Sequence, residues 1–262
     1  MVRRPRRPLP RALLGWILPA SVLLLLEAVA RAGVVAPNLM PPPTEVLRTL
    51  WHLGPAALGG HVLASTARVG AGFLAGAALG VIAGSAAGLS ARAEALLDPS
   101  FQALRAIPSL AWVPVLLLWL GIDEAPKLVL IAIGAFFPVY MGVSSGFRDV
   151  DRKLVEAARL YGRRGRALVR RVLLPAALPS VFTGLRNGLG LAWMFMVAAE
   201  LIAATNGLGY LLTDGRETGR ADLVFVAIGL LAVLGKLSDT GMARLERRLL
   251  AWRDTFGAGA RA

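Results

Sequence analysis

The amino-acid sequence describes an all-α, polytopic membrane protein with six transmembrane helices. Three features point there. Of 262 residues, 56% are hydrophobic and 17% charged, with a mean hydropathy of +0.63; soluble domains lie nearer 45–50% apolar and about 25% charged. Apolar runs of roughly 20 residues recur, the length that crosses a hydrocarbon core. Lys and Arg collect in alternate connecting segments, as they do on the cytoplasmic side of membrane proteins. A soluble enzyme and a disordered chain are excluded by the same composition. The chain has no Cys and two His, which removes disulfides, thiolate catalysis, Cys-based zinc and a His-rich metal site.

The first span runs from Ala12 to Ala30, behind a head carrying Arg3, Arg4, Arg6, Arg7 and Arg11. A basic head, an apolar run and Ala28-Val29-Ala30 also fit a cleaved signal peptide. The run exceeds a signal core and further spans follow, so a retained first helix is the better reading. Pro37 to Pro43 is a Pro-rich connector that no continuous helix tolerates. Thr44 and Glu45 then start a short amphipathic helix with Val46, Leu47, Leu50 and Trp51 on one face. The remaining spans are Thr66–Leu89, Ile107–Leu120 (short, with Pro108 and Pro114), Leu128–Val143, Pro175–Ala203 and Leu223–Leu237. The domain division is a basic cytoplasmic N-terminus 1–11, a six-span transmembrane domain 12–241 and a cytoplasmic tail 242–262. That tail carries Leu245, Leu249 and Trp252 against Arg244, Arg247 and Arg248, the pattern of a solvated or lipid-surface helix.

With the N-terminus inside, the inner segments (the head, 92–105, 148–171 and the tail) hold 21 of the 29 Lys and Arg residues, and the outer ends hold 6. This asymmetry favours an even number of spans with both termini cytoplasmic. The net charge of +13 therefore requires no nucleic acid.

The second span carries Gly72, Gly76, Gly80, Gly84 and Gly88, four residues apart and so on one side of a helix. A strip without side chains admits another backbone closely, which is how helices associate in lipid. The strip either forms a packing seam or lines a path that slides during a conformational change. The loop 146–175 is the most informative segment. Asp151 to Tyr161 forms a short amphipathic helix, with Leu154, Val155 and Ala158 on one face and Leu160 and Tyr161 extending it. Gly162 follows, where a helix ends with positive φ. Such a helix either docks into a groove of another protein or lies on anionic lipid.

The run Glu156-Ala157-Ala158, then Gly162, then Val172-x-Leu174-Pro175 resembles the cytoplasmic signature of permease subunits of binding-protein-dependent ABC importers. Val172 stands where that family usually has Ile. The segment Ala199 to Leu211, with Glu200 and Asn206-Gly207-Leu208-Gly209, is similar to the branch that imports nitrate, sulfonates and taurine. The resemblance implies a type I importer bundle in a bacterial inner membrane, working as a pair of permeases (a homodimer) with two cytoplasmic ATP-binding subunits and an extracytoplasmic solute-binding protein. It implies that Glu156 anchors the coupling helix on the ATPase, that Ala157 and Ala158 allow close approach, and that Gly162 permits the turn out towards Leu174 and Pro175. Primary active import of a small anion follows. A channel or secondary transporter working without an ATPase is the alternative.

A phosphate loop needs G-x-x-x-x-G-K-[ST]. The Gly235-Lys236 pair is followed by Leu237, and position 230 is Leu. ATP is therefore expected on a partner, with no cofactor, metal or catalytic residue in this chain. Paired carboxylates or a Ser/His dyad at span depth, which a membrane enzyme requires, are not discernible. Arg186, beside Asn187 and near Gly184, Gly188 and Gly190, lies 11 residues past Pro175, roughly 16 Å into the bilayer. An intramembrane Arg faces protein or water. It either gives the path a positive potential for anions or pairs with a carboxylate, Glu27 being the candidate by depth. Glu200 either shapes the outer gate or bonds a neighbouring helix. Trp193, Met194, Phe195 and Met196 line the path or simply pack, and the Pro108-Ser109 bend belongs to a gate or to helix packing.

Overall fold

The structure, a computed structural model, describes residues 11–36 and 38–252. The basic head at Arg3–Arg7, Pro37, and Arg253 and Arg261 of the tail lie outside the described residues. Those described form ten α-helices and no strand: α1 (Arg11–Arg31), α2 (Pro43–Leu89), α3 (Ala91–Ala106), α4 (Val113–Leu120), α5 (Glu124–Arg148), α6 (Arg152–Leu160), α7 (Gly165–Leu168), α8 (Leu174–Ala203), α9 (Leu208–Glu217) and α10 (Ala221–Leu249). A 3-10 turn at Ser109–Trp112 and a π turn at Val169–Leu173 join them.

Among the described residues, four helical stretches are long and apolar enough to cross a membrane: Pro43–Leu89, Glu124–Arg148, Gly165–Ile202 and Ala221–Leu249. The pair Ala91–Ala106 and Leu110–Leu120, bent by 83°, makes up to five. The 21 residues of α1 extend about 31 Å, enough for a sixth. Its leucines, Leu18 and Leu23 to Leu26, are exposed, as a lipid-facing surface requires.

The third span differs from the expectation. Residues 92–105, expected as an inner loop, are helical in α3, and the chain breaks at Ile107 and Pro108 before the short α4. Arg92, Glu94, Asp98 and Pro99 hide this helix from a hydropathy reading. Ser90 caps it, its hydroxyl accepting from Ala93 N at 3.4 Å. The acidic residues are answered by α5: Arg148 donates to Glu94 Oε1 at 2.5 Å and Asp98 Oδ2 at 3.1 Å, and the Tyr140 hydroxyl donates to Asp98. Helix α10 runs on past residue 242 to Leu249, so the first residues of the tail are helical.

The chain groups into two units, residues 1–59 with 211–229, and 60–210 with 230–262. In the first, the Glu27 carboxylate accepts from Arg31 Nε (2.7 Å), Thr44 N (3.1 Å) and Thr44 Oγ1 (2.8 Å), tying α1 to the start of α2. Thr49 Oγ1 donates to Asp222 at 2.9 Å. The amphipathic helix expected near 44–51 forms the opening of α2 and ends in a kink at Gly54 (φ 63°), before Pro55.

The second unit holds the core of the bundle. Val69, Phe73 and Ala77 of α2, Ile131, Ala135, Val139, Val143 and Phe147 of α5, and Ala177, Leu189, Ala192 and Met196 of α8 bury one another. The glycine strip faces α5 along its whole length. A Cβ at Gly72 would lie 2.6 Å from Ile131 Cγ2, at Gly80 2.9 Å from Phe136 O, at Gly84 2.7 Å from Tyr140 O and at Gly88 2.8 Å from Phe147 Cβ; at Gly76 it would collide with the Ala132 carbonyl. The strip is therefore a packing seam inside one chain, where dispersion replaces the missing hydrophobic drive. Helices α5 and α8 cross antiparallel at Gly142 and Gly184, where a Cβ on Gly142 would lie 2.7 Å from Gly184 Cα.

Candidate functional site

The loop between α5 and α8 presents the predicted amphipathic helix. Asp151 caps α6 by accepting from Lys153 N at 2.8 Å, and Arg152 Nε pairs with Glu156 Oε1 at 2.7 Å one turn on. The helix ends in a Schellman motif: Arg163 N donates to Ala158 O and Gly162 N to Arg159 O, both at 3.0 Å. Gly162 takes φ 75° there, a conformation that penalises any Cβ. Glu156 and Ala157 are exposed, and Leu160 and Tyr161 remain 89% and 86% accessible. Ala158 is buried within the chain. Past the π turn, Leu174 is exposed and Pro175 sits in the first turn of α8. Pro175 has no N–H to offer the carbonyl of Arg171.

Glu200 is buried, and its carboxylate accepts from Ser65 Oγ at 2.8 Å, Arg68 Nη1 at 2.7 Å and Gly209 N at 2.8 Å. Arg68 also donates to Glu124 at 2.6 and 2.7 Å, to the Asn206 carbonyl at 2.7 Å, and to the Asn206 side chain. Lys127 Nζ completes the cluster at 2.9 Å from Glu124. Two cations thus meet two carboxylates, and no buried side-chain nitrogen or oxygen among the described residues lacks a partner, as burial of charge demands. The 204–207 turn is pinned here: Gly207 N donates to His61 Nδ1 at 3.1 Å, Leu208 N to Ser65 Oγ at 2.8 Å, and a Cβ on Gly207 would strike the Glu200 carboxylate.

Arg186 is paired, but not with Glu27. It donates to Asp239 Oδ1 at 3.0 and 3.1 Å and to Glu246 Oε2 at 3.3 Å, both on α10. Glu27 is occupied by Arg31 and Thr44. Depth alone suggested Glu27; the deciding fact is that Asp239 and Glu246 lie seven apart on α10 and so on one face. Trp193 reinforces that contact through Ser238 (2.9 Å), and Met196 is buried in the core.

Asn187, one residue from Arg186, points elsewhere. It lines a cleft of about 500 Å³ between α5 and α8. Ser145, Thr183, Asn187 and Arg105 give the cleft its polar groups, and Phe137 and Phe195 are among its apolar walls. Of the run 193–196, Phe195 alone reaches this cleft; its ring occupies the place a Cβ on Gly134 would take. Of the three residues assigned to the path, then, Asn187 borders the cleft while Arg186 and Glu200 belong to separate ion-pair sites.

Residues 76–251 match the family described as the inner membrane component of binding-protein-dependent transport systems. The chain belongs to this family. A Bacillus subtilis aliphatic sulfonates transport permease, SsuC, is 41% identical over 243 residues, covering 92% of this chain and 88% of the relative. The Escherichia coli taurine permease TauC is 37% identical, covering 94% and 92%. The nitrate import permease NrtB of Synechocystis is 32% identical, covering 79% of each. Among solved structures, a chain of the inward-facing MetNI methionine ABC transporter superposes with a TM-score of 0.55 at 24% identity, covering 80% of this chain and 98% of that one, a likeness of fold. The transport permease assignment places the chain in the inner membrane as a partner of a binding protein.

Sequence reasoning missed Arg68, Lys127 and Glu124 as cluster members and Arg105, Ser145 and Thr183 as cleft residues. For Arg68 a signal existed: it lies inside an apolar helix, where a cation requires a carboxylate. The cleft had none, because three helices distant in sequence assemble it.

Proposed function

We propose that this permease couples ATP hydrolysis on separate ATP-binding subunits to import of a small anion of the aliphatic sulfonate, taurine or nitrate type. Two copies of the permease, two ATP-binding subunits and one external binding protein make the working assembly. Both termini of the permease face the cytoplasm, which the distribution of basic residues supports, 20 on the inner side against 6 on the outer once Arg105, at the far end of α3, is set apart. The chain has no phosphate loop of its own.

The observation that carries this reading is α6. It is a capped helix on which Glu156, Ala157, Leu160 and Tyr161 are exposed, and an amphipathic helix left open in this way fits a groove on another protein. ATP binding moves α6 only if ATP favours one conformation of the ATPase over the other. The cargo assignment is carried by the relatives named above. The test is uptake of labelled taurine, ethanesulfonate and nitrate into proteoliposomes holding permease, ATP-binding subunit and binding protein. Uptake of one of them that requires ATP and all three proteins supports the reading; equal uptake by permease alone assigns a channel or secondary transporter instead.

A further inference from the structure

The arginines of the bundle fall into two kinds. Arg68, Arg148 and Arg186 each meet two carboxylates. Arg105, in the last turn of α3, meets no carboxylate among the described residues; its Nη1 lies 2.6 Å from Met141 Sδ. A thioether is a weak acceptor for a group with five donors. Arg105 is exposed and lines the cleft between α5 and α8, beside Met141 on its wall. Ser145, Thr183 and Asn187 share that cleft, and it contains no acidic side chain.

We propose that Arg105 is the anion-recognising cation of the translocation cleft, taking the oxyanion head of a small organic acid while the apolar walls take its carbon chain. This rests on the transport reading above and moves the charge selectivity from Arg186 to Arg105. The chemistry fits. A planar guanidinium offers two parallel donors to a sulfonate or carboxylate, and the Ser145 hydroxyl and Asn187 amide add uncharged donors that release the cargo easily, the Thr183 hydroxyl being spent on the Pro179 carbonyl at 3.0 Å. A cleft with one unpaired positive charge and no negative one also repels cations. About 500 Å³ accommodates an anion of a few carbons.

The chain has no cysteine, so Asn187→Cys introduces a single thiol into the cleft. In the assembled transporter, its reaction rates with anionic sulfonatoethyl and cationic aminoethyl methanethiosulfonate report the local potential. With Arg105 present, the anionic-to-cationic ratio exceeds that of a free thiol; Arg105→Gln lowers it about fourfold or more, the effect of one charge within roughly 10 Å at the dielectric of water, and Arg105→Lys preserves it. A ratio that equals the free-thiol value with Arg105 in place overturns the proposal, and this arm needs no Arg105 variant to fold. Uptake is the second readout. Arg105→Gln slows import of the anionic cargo about tenfold or more, the scale of one lost charge-assisted hydrogen bond, and Arg105→Lys restores most of it. Unchanged uptake in Arg105→Gln overturns the proposal. Absence of ATP-driven uptake in the unmutated transporter overturns the transport reading instead, while the labelling ratio still decides Arg105.

Discussion

Replacing Arg68 with Met removes the cation that holds the buried cluster neutral. Its two bonds to Glu124 count little, because the Glu124 side chain is 49% exposed and water replaces them, about 0–1 kcal/mol. The bond to Glu200 matters more. That side chain is fully buried, and without Arg68 only Ser65 and Gly209 donate to it. Truncating one partner of a buried pair costs about 3–5 kcal/mol, and the two surviving donors place this case near 3 kcal/mol. At roughly 2–4 °C per kcal/mol, Arg68→Met lowers the thermal midpoint of the purified permease in fixed detergent by about 6–12 °C, followed by tryptophan fluorescence. Glu200→Gln removes the opposing charge and keeps the acceptor for Ser65. The double variant Arg68→Met/Glu200→Gln should therefore be more stable than the sum of the single effects by about 1.5 kcal/mol or more. A midpoint within about 2 °C of wild type for Arg68→Met, or strictly additive effects, would refute the reasoning.

The glycine seam makes a second prediction: Gly76→Leu, forced against the Ala132 carbonyl, destabilises by about 3 kcal/mol or more through overpacking, whereas Gly70→Ala, with open space around it, changes the midpoint by less than about 2 °C. Arg186→Gln removes a half-exposed pair with Asp239 and Glu246, worth about 1 kcal/mol or less, and leaves the anion preference of uptake intact; a loss of that preference would return Arg186 to the path. Gly162→Ala, strained at φ 75°, loses about 1–2 kcal/mol of local stability, seen as faster amide exchange at Arg163, whose N–H closes the α6 cap; unchanged exchange counts against the cap.

Much of the fold is legible in the sequence because the membrane imposes long apolar runs. Residues 128–143, 175–203 and 223–237 all fall inside continuous helices, and α6 is readable from its apolar spacing and the glycine that ends it. The broken third span is not, since Glu94 and Asp98 read as loop residues until Arg148 is seen to neutralise them. Partner choice is equally hidden: Arg186 takes Asp239 rather than Glu27 because helix packing, not depth along one span, decides which side chains meet. The glycine strip announces a close neighbour without naming it, and α5 is found by register alone.

The account depends above all on α6 being the contact through which ATP drives this permease. Its most direct test is binding-protein-stimulated ATP hydrolysis by the assembled transporter carrying Ala157→Arg, which places a bulky charge on the exposed face of α6 without disturbing the buried core. The account predicts that stimulation disappears while the permease keeps its thermal midpoint; full stimulation in that variant would contradict it.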